Sequence, residues 1–368
     1  MTSPSLQIKK KRPRVVVGMS GGVDSSVAAA LLVAQGYEVI GVMMKYWSEG
    51  VIKGEDNKCC SIESQQEALK IAKKIGIPFH VLDLSVQFKQ LIVNDFLEQK
   101  RSGFTPNPCV NCNKNIKFGL FLLKARELFD ADYIATGHYA KITHSTEGPV
   151  VAMGEDQKKD QSYFLCQVPQ HVFKRVLFPL ADLTKPEVRA MAEKLDLPVA
   201  HKKDSHEICF FTEANPKQFL QRHFDLLPGD VVLGDGTKVG RHEGALLYTK
   251  GQRKGLNLGI EDKVYVTDVD TATNTVVVTK DQADPRISSR VLAIERLNLL
   301  VATVPNRVSI RIRHLGKFFP AHVALNVDDK SKAVITFTEP VMAVQRGQFA
   351  ALYNGKQLLG GGYIAETA

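Results

Sequence analysis

No run in the 368-residue chain approaches the roughly 20 consecutive apolar residues of a membrane-spanning helix, so no membrane is expected among its partners. The opening segment, MTSPSLQIKKKRPR, is basic but leads straight into a β-branched triplet instead of a signal-type apolar stretch, and a cytoplasmic location is the expectation. Also missing are the G-x-x-x-x-G-K-[ST] loop and the G-x-G-x-x-G dinucleotide fingerprint, which removes two familiar phosphate-binding turns. No internal repeat or low-complexity tract is present. Cysteine is sparse: Cys59, Cys60, Cys109, Cys112, Cys166 and Cys209, in a cytoplasmic chain, suggest reactive or metal-binding thiols more than structural disulfides. Acidic residues are in deficit, 39 against 48 Lys+Arg, and the net charge of +9 favours a polyanionic partner such as nucleic acid.

What is present is concentrated first in VVVGMSGGVDSSVAAALL, from Val15 to Leu32. The valine triplet reads as a buried strand and the alanine-rich segment as a helix, which leaves the polar residues at the turn between them. Gly21 and Gly22 let a ligand approach the main chain, the helix N-terminus adds partial positive charge, and Ser20, Ser25 and Ser26 add hydrogen bonds. The turn is a phosphate cradle by composition. Asp24 would repel bound phosphates unless a cation such as Mg²⁺ lies between, so it reads as a metal-side residue. A merely capped helix start would need only one Ser or Asp. SGGVDSS in this position resembles the PP-loop of N-type ATP pyrophosphatases, which split ATP between the α and β phosphates and hand AMP to an acceptor.

The length predicts two or three domains. VVVGMS, YEVIGVMMKYW, FHVLDL and ADYIATGHYA read as strands alternating with the helices VAAALLVAQG, SQQEALKIAKKIG, IKFGLFLLKARELF and KPEVRAMAEKL. That alternation predicts an α/β fold with a doubly wound, mostly parallel, Rossmann-like sheet over residues 1–215, its ligands collecting at the carboxyl ends of the strands. A glycine-rich stretch with hairpin signals predicts a small β-rich module over 216–286. Short alternating strands with an Asn354-Gly355 turn predict a closed six-stranded β-barrel over 287–368.

TPNPCVNCNKNIKFG carries the sulfur chemistry. Pro106 and Pro108 stiffen the approach around Asn107, and Cys109 and Cys112 follow at C-x-x-C spacing just before a helix. A helix N-terminus together with Lys114 and Lys117 predicts at least one thiolate at neutral pH. In HKKDSHEICFFTE, Cys209 sits between Ile208 and Phe210, a setting that by itself suits a core residue. Paired with Cys112, it gains another meaning: one thiol carries a persulfide, the other attacks it, and a disulfide remains when sulfur departs.

SGGVDSS, PNPCVNCNK, ATGHYA, KKDQSYFL, KKDSHEICF and YTKGQRKGL, in this order, together with the ending LGGGYI, closely resemble the tRNA-specific 2-thiouridylases. The resemblance spans nearly the whole chain. It implies 2-thiolation of the wobble uridine of tRNAs with Lys, Glu and Gln acceptors, with sulfur from a persulfide-donating relay protein or cysteine desulfurase. It also implies that Gly18, Met19, Ser20, Gly21, Gly22, Val23, Asp24, Ser25, Met44 and Gly137 bind ATP with Mg²⁺, that Cys112 is the nucleophile, and that Cys209 carries the persulfide. Asn107, Pro108 and Cys109 would meet the flipped target base. His138, Lys159, Asp160, Gln161, Arg313, His314 and Gln348 match positions that contact tRNA, and the last domain would bind it.

Some members of the family carry Asp where this chain has Cys109. Cys109, Cys112 and Cys209 could therefore converge on an iron–sulfur cluster with one iron open to sulfide, an alternative route to the same product. Two other classes stay open: a PP-loop ligase that adenylates a small carboxylate, and a zinc-stabilised RNA-binding module without catalysis. Cys59 and Cys60 read as loop or packing residues and Cys166 as core. His171, His201 and His206 read as surface or local hydrogen-bonding residues. Arg311 and Arg313 read as one face of a barrel strand, opposite Val308, Ile310 and Ile312.

Overall fold

The computed structural model describes residues 12–49, 62–202, 208–211, 216–253, 256 and 263–367. Cys59, Cys60 and His206 lie outside the described residues.

The valine triplet forms β1 (Arg14–Gly18), followed by β2 (Glu38–Lys45), β3 (Phe79–Asp83) and β4 (Tyr133–Ala135). Next come a hairpin of β5 (Ala140–Ser145) and β6 (Gly148–Met153) and the short β7 (Val176–Leu177). The first sheet runs β3-β2-β1-β4-β7 and is parallel throughout. Because its central strand is buried on both faces, β1 is apolar without alternation. Val16 faces a core with Phe118, Phe121 and Ile134, while Val15 and Val17 face another with Val27, Ala28 and Val188. Helices thus cover both sides, and the strand order reverses between β1 and β4. That reversal is where an open α/β sheet leaves a crevice.

ADYIATGHYA, expected as one strand, is broken. β4 stops at Ala135, and the chain turns through Thr136 to Tyr139 before β5 begins. Gly137 explains the break: a Cβ there would stand 2.8 Å from the Asp24 carbonyl carbon and 2.8 Å from Ser25 N, so this turn is pressed against the start of the first helix. The β5–β6 hairpin leaves the parallel sheet altogether and meets the last strand of the chain through Ala152 and Gln357.

Strands β8 (Gly229–Leu233), β9 (Lys238–His242), β10 (Tyr265–Asp270) and β11 (Thr275–Thr279) form a separate sheet in the order β10-β11-β8-β9, with its own small core around Val231, Val266 and Val276. The remaining strands are β12 (Ser288–Leu299), β13 (Arg307–Arg311), β14 (Phe319–Leu325), β15 (Ala333–Met342), β16 (Phe349–Asn354) and β17 (Gln357–Thr367). They run β12-β15-β14-β13-β16-β17, and pairing of β12 with β17 closes the six-stranded barrel. β16 and β17 turn at Gly355-Lys356, with Asn354 paired to Gln357, one position later than the expected Asn354-Gly355 turn. Among the described residues no helix is long and apolar enough to cross a membrane.

One buried ion pair ties the barrel to the first domain. Arg311 Nη1 meets Asp160 Oδ2 at 2.8 Å, with Asp160 fully buried and Arg311 only 5% exposed. The guanidinium also lies over the Phe318 ring, 4.1 Å from its centroid. Arg311 therefore does not share a solvated face with Arg313: it points inward because a carboxylate waits there, and only Arg313 is exposed.

Candidate active site

The crevice beside β1 is built first from the glycine-serine turn. The first helix, α1 (Val23–Ala34), starts at Gly22, which contributes no side-chain cap, so its leading N–H groups are left for a ligand. Ser25 and Ser26 hydroxyls donate to Gly22 O at 3.2 and 2.7 Å, and Ser20 N donates to Ser25 Oγ at 3.2 Å, which fixes the turn's curvature. Gly21 has φ of +68°, and a Cβ on it would fall 2.7 Å from Ser64 O. Only glycine satisfies both conditions. Met19 N donates to Val42 O at 2.8 Å, holding the turn against β2, whose end carries Met44.

Asp24 is not left facing an open cradle. Lys185 Nζ donates to both carboxylate oxygens at 2.7 and 2.8 Å, and Tyr139 Oη donates to Oδ1 at 2.7 Å. Lys185 opens the helix Lys185–Lys194, fixed by a capping box between Thr184 and Glu187, and only 9% of its side chain is exposed. A magnesium ion on Asp24 does not fit this arrangement, because the carboxylate's charge and both of its oxygens are already engaged. Sequence reasoning found no lysine in the turn itself; the fold supplies one from 161 positions away.

The cysteines come in on a helix that starts earlier than expected. Asn107 is its N-cap, its Oδ1 accepting from Val110 N at 3.3 Å, and Pro108 takes the first turn. Cys109 and Cys112 thus lie inside the helical run 108–129, which passes through a π-helical segment, Asn113–Leu120. Cys209 belongs to the segment 208–211, packed in the same apolar cluster as Cys112 with Phe88, Phe96 and Phe219. Cys109, Cys112, Cys166 and Cys209 are all free thiols.

A single cavity of about 350 Å³ joins these parts. Its walls include Gly18 to Ser20, Asp24, Ser25, Met44 and Gly137 from the nucleotide side, and Cys109, Cys112 and Cys209 from the sulfur side. Pro108, His138 and Gln161 line it as well. The thiolate expected at neutral pH is not found. Burial pushes the Cys112 thiol up to about 12 and outweighs the lowering by Lys117, and burial raises Cys109 too. The helix-terminus argument fails because Cys112 is the fifth residue of the helix and only 6% exposed. His138 is pushed well below its ordinary value by burial and then by Lys117, so it is a neutral imidazole, its Nδ1 bonded to Thr136 Oγ1 at 2.7 Å. No group of three or more His, Cys, Asp or Glu that could hold a metal exists among the described residues, so the three thiols are not arranged for an iron–sulfur cluster. Cys166 is wholly buried in the core, as expected.

The residues matched to tRNA contacts separate into groups. Arg313 is exposed, and Lys159 and His314 are half-buried, with the His314 ring tilted against Phe164 at 4.3 Å between centroids. Asp160 is fully buried and consumed by Arg311 and Ser162, so it braces the domains rather than presenting a surface. Gln348 is likewise engaged: its Nε2 donates to Thr105 O at 2.9 Å and its Oε1 accepts from Asn107 Nδ2 at 3.0 Å. Lys185 and Tyr139, both bonded to Asp24, were not foreseen, because no local pattern signals a partner in the turn.

The profile of the family described as tRNA methyl transferase HUP domain matches residues 13–213. Profiles described as tRNA methyl transferase PRC-barrel domain and aminomethyltransferase beta-barrel domain match 217–280 and 289–364. Full-length relatives are tRNA-specific 2-thiouridylases. That of Geobacter metallireducens is 40% identical over 366 residues, covering 97% of this chain and 98% of the relative. That of Lysinibacillus sphaericus is 42% identical over 359 residues, 96% and 94%. That of Enterococcus faecalis is 40% identical over 361 residues, 96% and 95%. With such identity carried from end to end, across a nucleotide turn and a cysteine helix that share one cavity, this chain belongs to the tRNA-specific 2-thiouridylase family.

Proposed function

We propose that this protein is an ATP-dependent tRNA sulfurtransferase that replaces the C2 oxygen of the wobble uridine with sulfur, releasing AMP and pyrophosphate. The observation that carries the reading is the shared cavity: Gly18, Met19, Ser20 and Ser25 of the phosphate cradle and the thiols of Cys112 and Cys209 line the same walls. An enzyme that adenylates a small carboxylate has no use for thiols beside its nucleotide. A zinc-stabilised binding module has no use for the cradle.

The chemistry explains the ingredients. The uracil C2 oxygen is a poor leaving group, and transfer of AMP onto it makes a good one. The uncapped start of α1 takes the triphosphate, its leading N–H groups and partial positive charge meeting the phosphate oxygens. Cys209 then offers a persulfide anion whose terminal sulfur bonds to C2 as the C2–O bond breaks and its electron pair leaves on AMP. Cys112 attacks the Cys209 sulfur, a disulfide forms, and the new sulfur stays on the base. A thiol reductant and a persulfide donor restore the enzyme. Asn107, Pro108, Cys109, His138 and Gln161 would surround the extruded uracil. Lys159, Arg313 and His314 would meet the RNA further out, where contacts to phosphate make binding weaken with salt.

Mass spectrometry of wobble nucleosides from cells lacking the protein tests the reading: 2-thiouridine derivatives should vanish and return with the wild-type chain. Restoration by a Cys112→Ser or Cys209→Ser chain would point to chemistry without these thiols.

A further inference from the structure

At the sulfur end of the cavity stands one ammonium group. Among the described residues that line the cavity, Lys117 is the only Lys or Arg. Lys185, the other cation of the site, is spent on Asp24 at the nucleotide end. The Lys117 ammonium makes no hydrogen bond or ion pair with any described residue.

Its position follows from the backbone. In a π-helical stretch the hydrogen bonds run from i to i+5, and the wider turn brings residues five apart nearer to one face than an α-helix does. The segment Asn113–Leu120 is π-helical, which turns Lys117 toward the cavity that Cys112 also lines. In a regular α-helix the same pair would sit about 140° apart, at about 100° per residue. π-segments recur at functional sites.

A second observation marks this wall as incomplete. Asn113, 2% exposed and also lining the cavity, donates from Nδ2 to Cys109 O at 2.9 Å, but its Oδ1 is buried without a partner. Buried acceptors are normally satisfied, and a partly buried cation normally has a counter-charge. The field of Lys117 reaches Cys109, Cys112 and His138 alike. None of those groups is an anion in this state.

We propose that Lys117 is a further catalytic residue of the sulfur-transfer steps, the positive charge against which the sulfur anions and the departing phosphate are held. The inference rests on the thiolation reading above. As the Cys209 persulfide anion bonds to C2, its negative charge passes to the AMP oxygen, and no proton moves. Cys112 then loses its proton to water and attacks Cys209 as a thiolate, and the negative charge passes to the sulfur left on C2. One negative charge stays near carbon 2 at every stage, opposite the Lys117 side chain.

Single-turnover thiolation by persulfide-loaded enzyme, at saturating ATP and tRNA, tests this with Lys117→Gln and Lys117→Arg. Removing one preorganised charge at a developing anion costs about 10²- to 10³-fold. The Gln variant should lose about that much, with tRNA and ATP affinities within about twofold, and Arg should recover much of the rate. A Gln variant within threefold of wild type overturns the proposal. So does a loss that disappears at saturating tRNA, which would make Lys117 a backbone contact. If the wild-type chain makes no 2-thiouridine, the thiolation reading fails instead.

Carboxymethylation of Cys112, which needs neither ATP nor tRNA, supplies the second readout. The groups facing Cys112 that could alter its charge are Cys109 and Lys117 on its own helix, His138 after β4, and Cys209 on the 208–211 segment. Of these, Lys117 brings the ammonium, while burial holds His138 neutral and raises the Cys109 thiol. The rise of labelling with pH should move to higher pH in Lys117→Gln and stay in place in Lys117→Arg. Superimposable profiles for wild type and Gln would refute the proposal.

Discussion

Replacing Gly137 with Ala should disable the nucleotide half of the site without touching a thiol. The new Cβ would stand 2.8 Å from the Asp24 carbonyl carbon, 2.8 Å from Ser25 N and 3.0 Å from Asp24 Cβ, whereas ordinary contact begins near 3.4 Å. Something must move by about 0.6 Å. β4 is pinned between β1 and β7, so the shift falls on Asp24 and Ser25, which carry the first N–H groups of α1. A misplacement of about 1 Å can cost about 10²-fold in a positioned reaction. The expected loss here is at least about tenfold in kcat/KM for tRNA-dependent pyrophosphate release, which corresponds to about 1.4 kcal/mol. Far-UV circular dichroism and thermal melting would establish that the variant folds, and calorimetry would report its affinity for ATP. A folded Gly137→Ala chain with wild-type ATP affinity and pyrophosphate release would show that the cradle does not depend on this close approach.

Arg311→Met should lower stability to urea by about 3–5 kcal/mol, because it strands Asp160 as an uncompensated buried charge. Adding Asp160→Asn should recover much of that loss, and an unchanged unfolding midpoint in the single variant would contradict the reading. Gln348→Leu should reduce kcat more than tRNA affinity, since it removes both bonds that hold Asn107 and Thr105 beneath the cysteine helix; a change confined to affinity would make Gln348 a simple RNA contact. Acid should weaken the fold through His314, which burial lowers to about 4 from 6.5. The folded protein binds this proton less readily than the unfolded chain, so the stability it contributes is full above pH 6.5 and falls away as pH drops toward 4. Urea titrations across that window should show a shallower fall in His314→Phe, and equal slopes would refute the assignment.

Much of this architecture was readable from local pattern. The Val15–Val17 triplet, the glycine-serine turn and the β16–β17 hairpin each act within a few residues, so sequence spacing captures them, the last to within one position. What could not be read depends on distant partners. Arg311 turns inward only because Asp160, 151 positions earlier, meets it, and Lys185 reaches Asp24 across 161 positions. The apparent strand ADYIATGHYA breaks because Gly137 must press against α1. The expected thiolate fails for a similar reason. Helix position and nearby lysines are local and lower a thiol's pKa, whereas the desolvation that wins at Cys112 comes from Ile92, Phe210, Phe219 and other residues gathered by the fold.

The account stands or falls on nucleotide and sulfur chemistry meeting at one uridine. The most direct measurement is a single turnover with Cys209 loaded with ³⁵S-persulfide, ATP and unmodified tRNA, followed by quantification of AMP, labelled 2-thiouridine and the Cys112–Cys209 disulfide. The account predicts the three products in equal amounts, with labelled nucleoside and disulfide both lost in Cys112→Ser. Labelled 2-thiouridine formed without AMP, or formed at the wild-type rate in the absence of the Cys112 thiol, would contradict it.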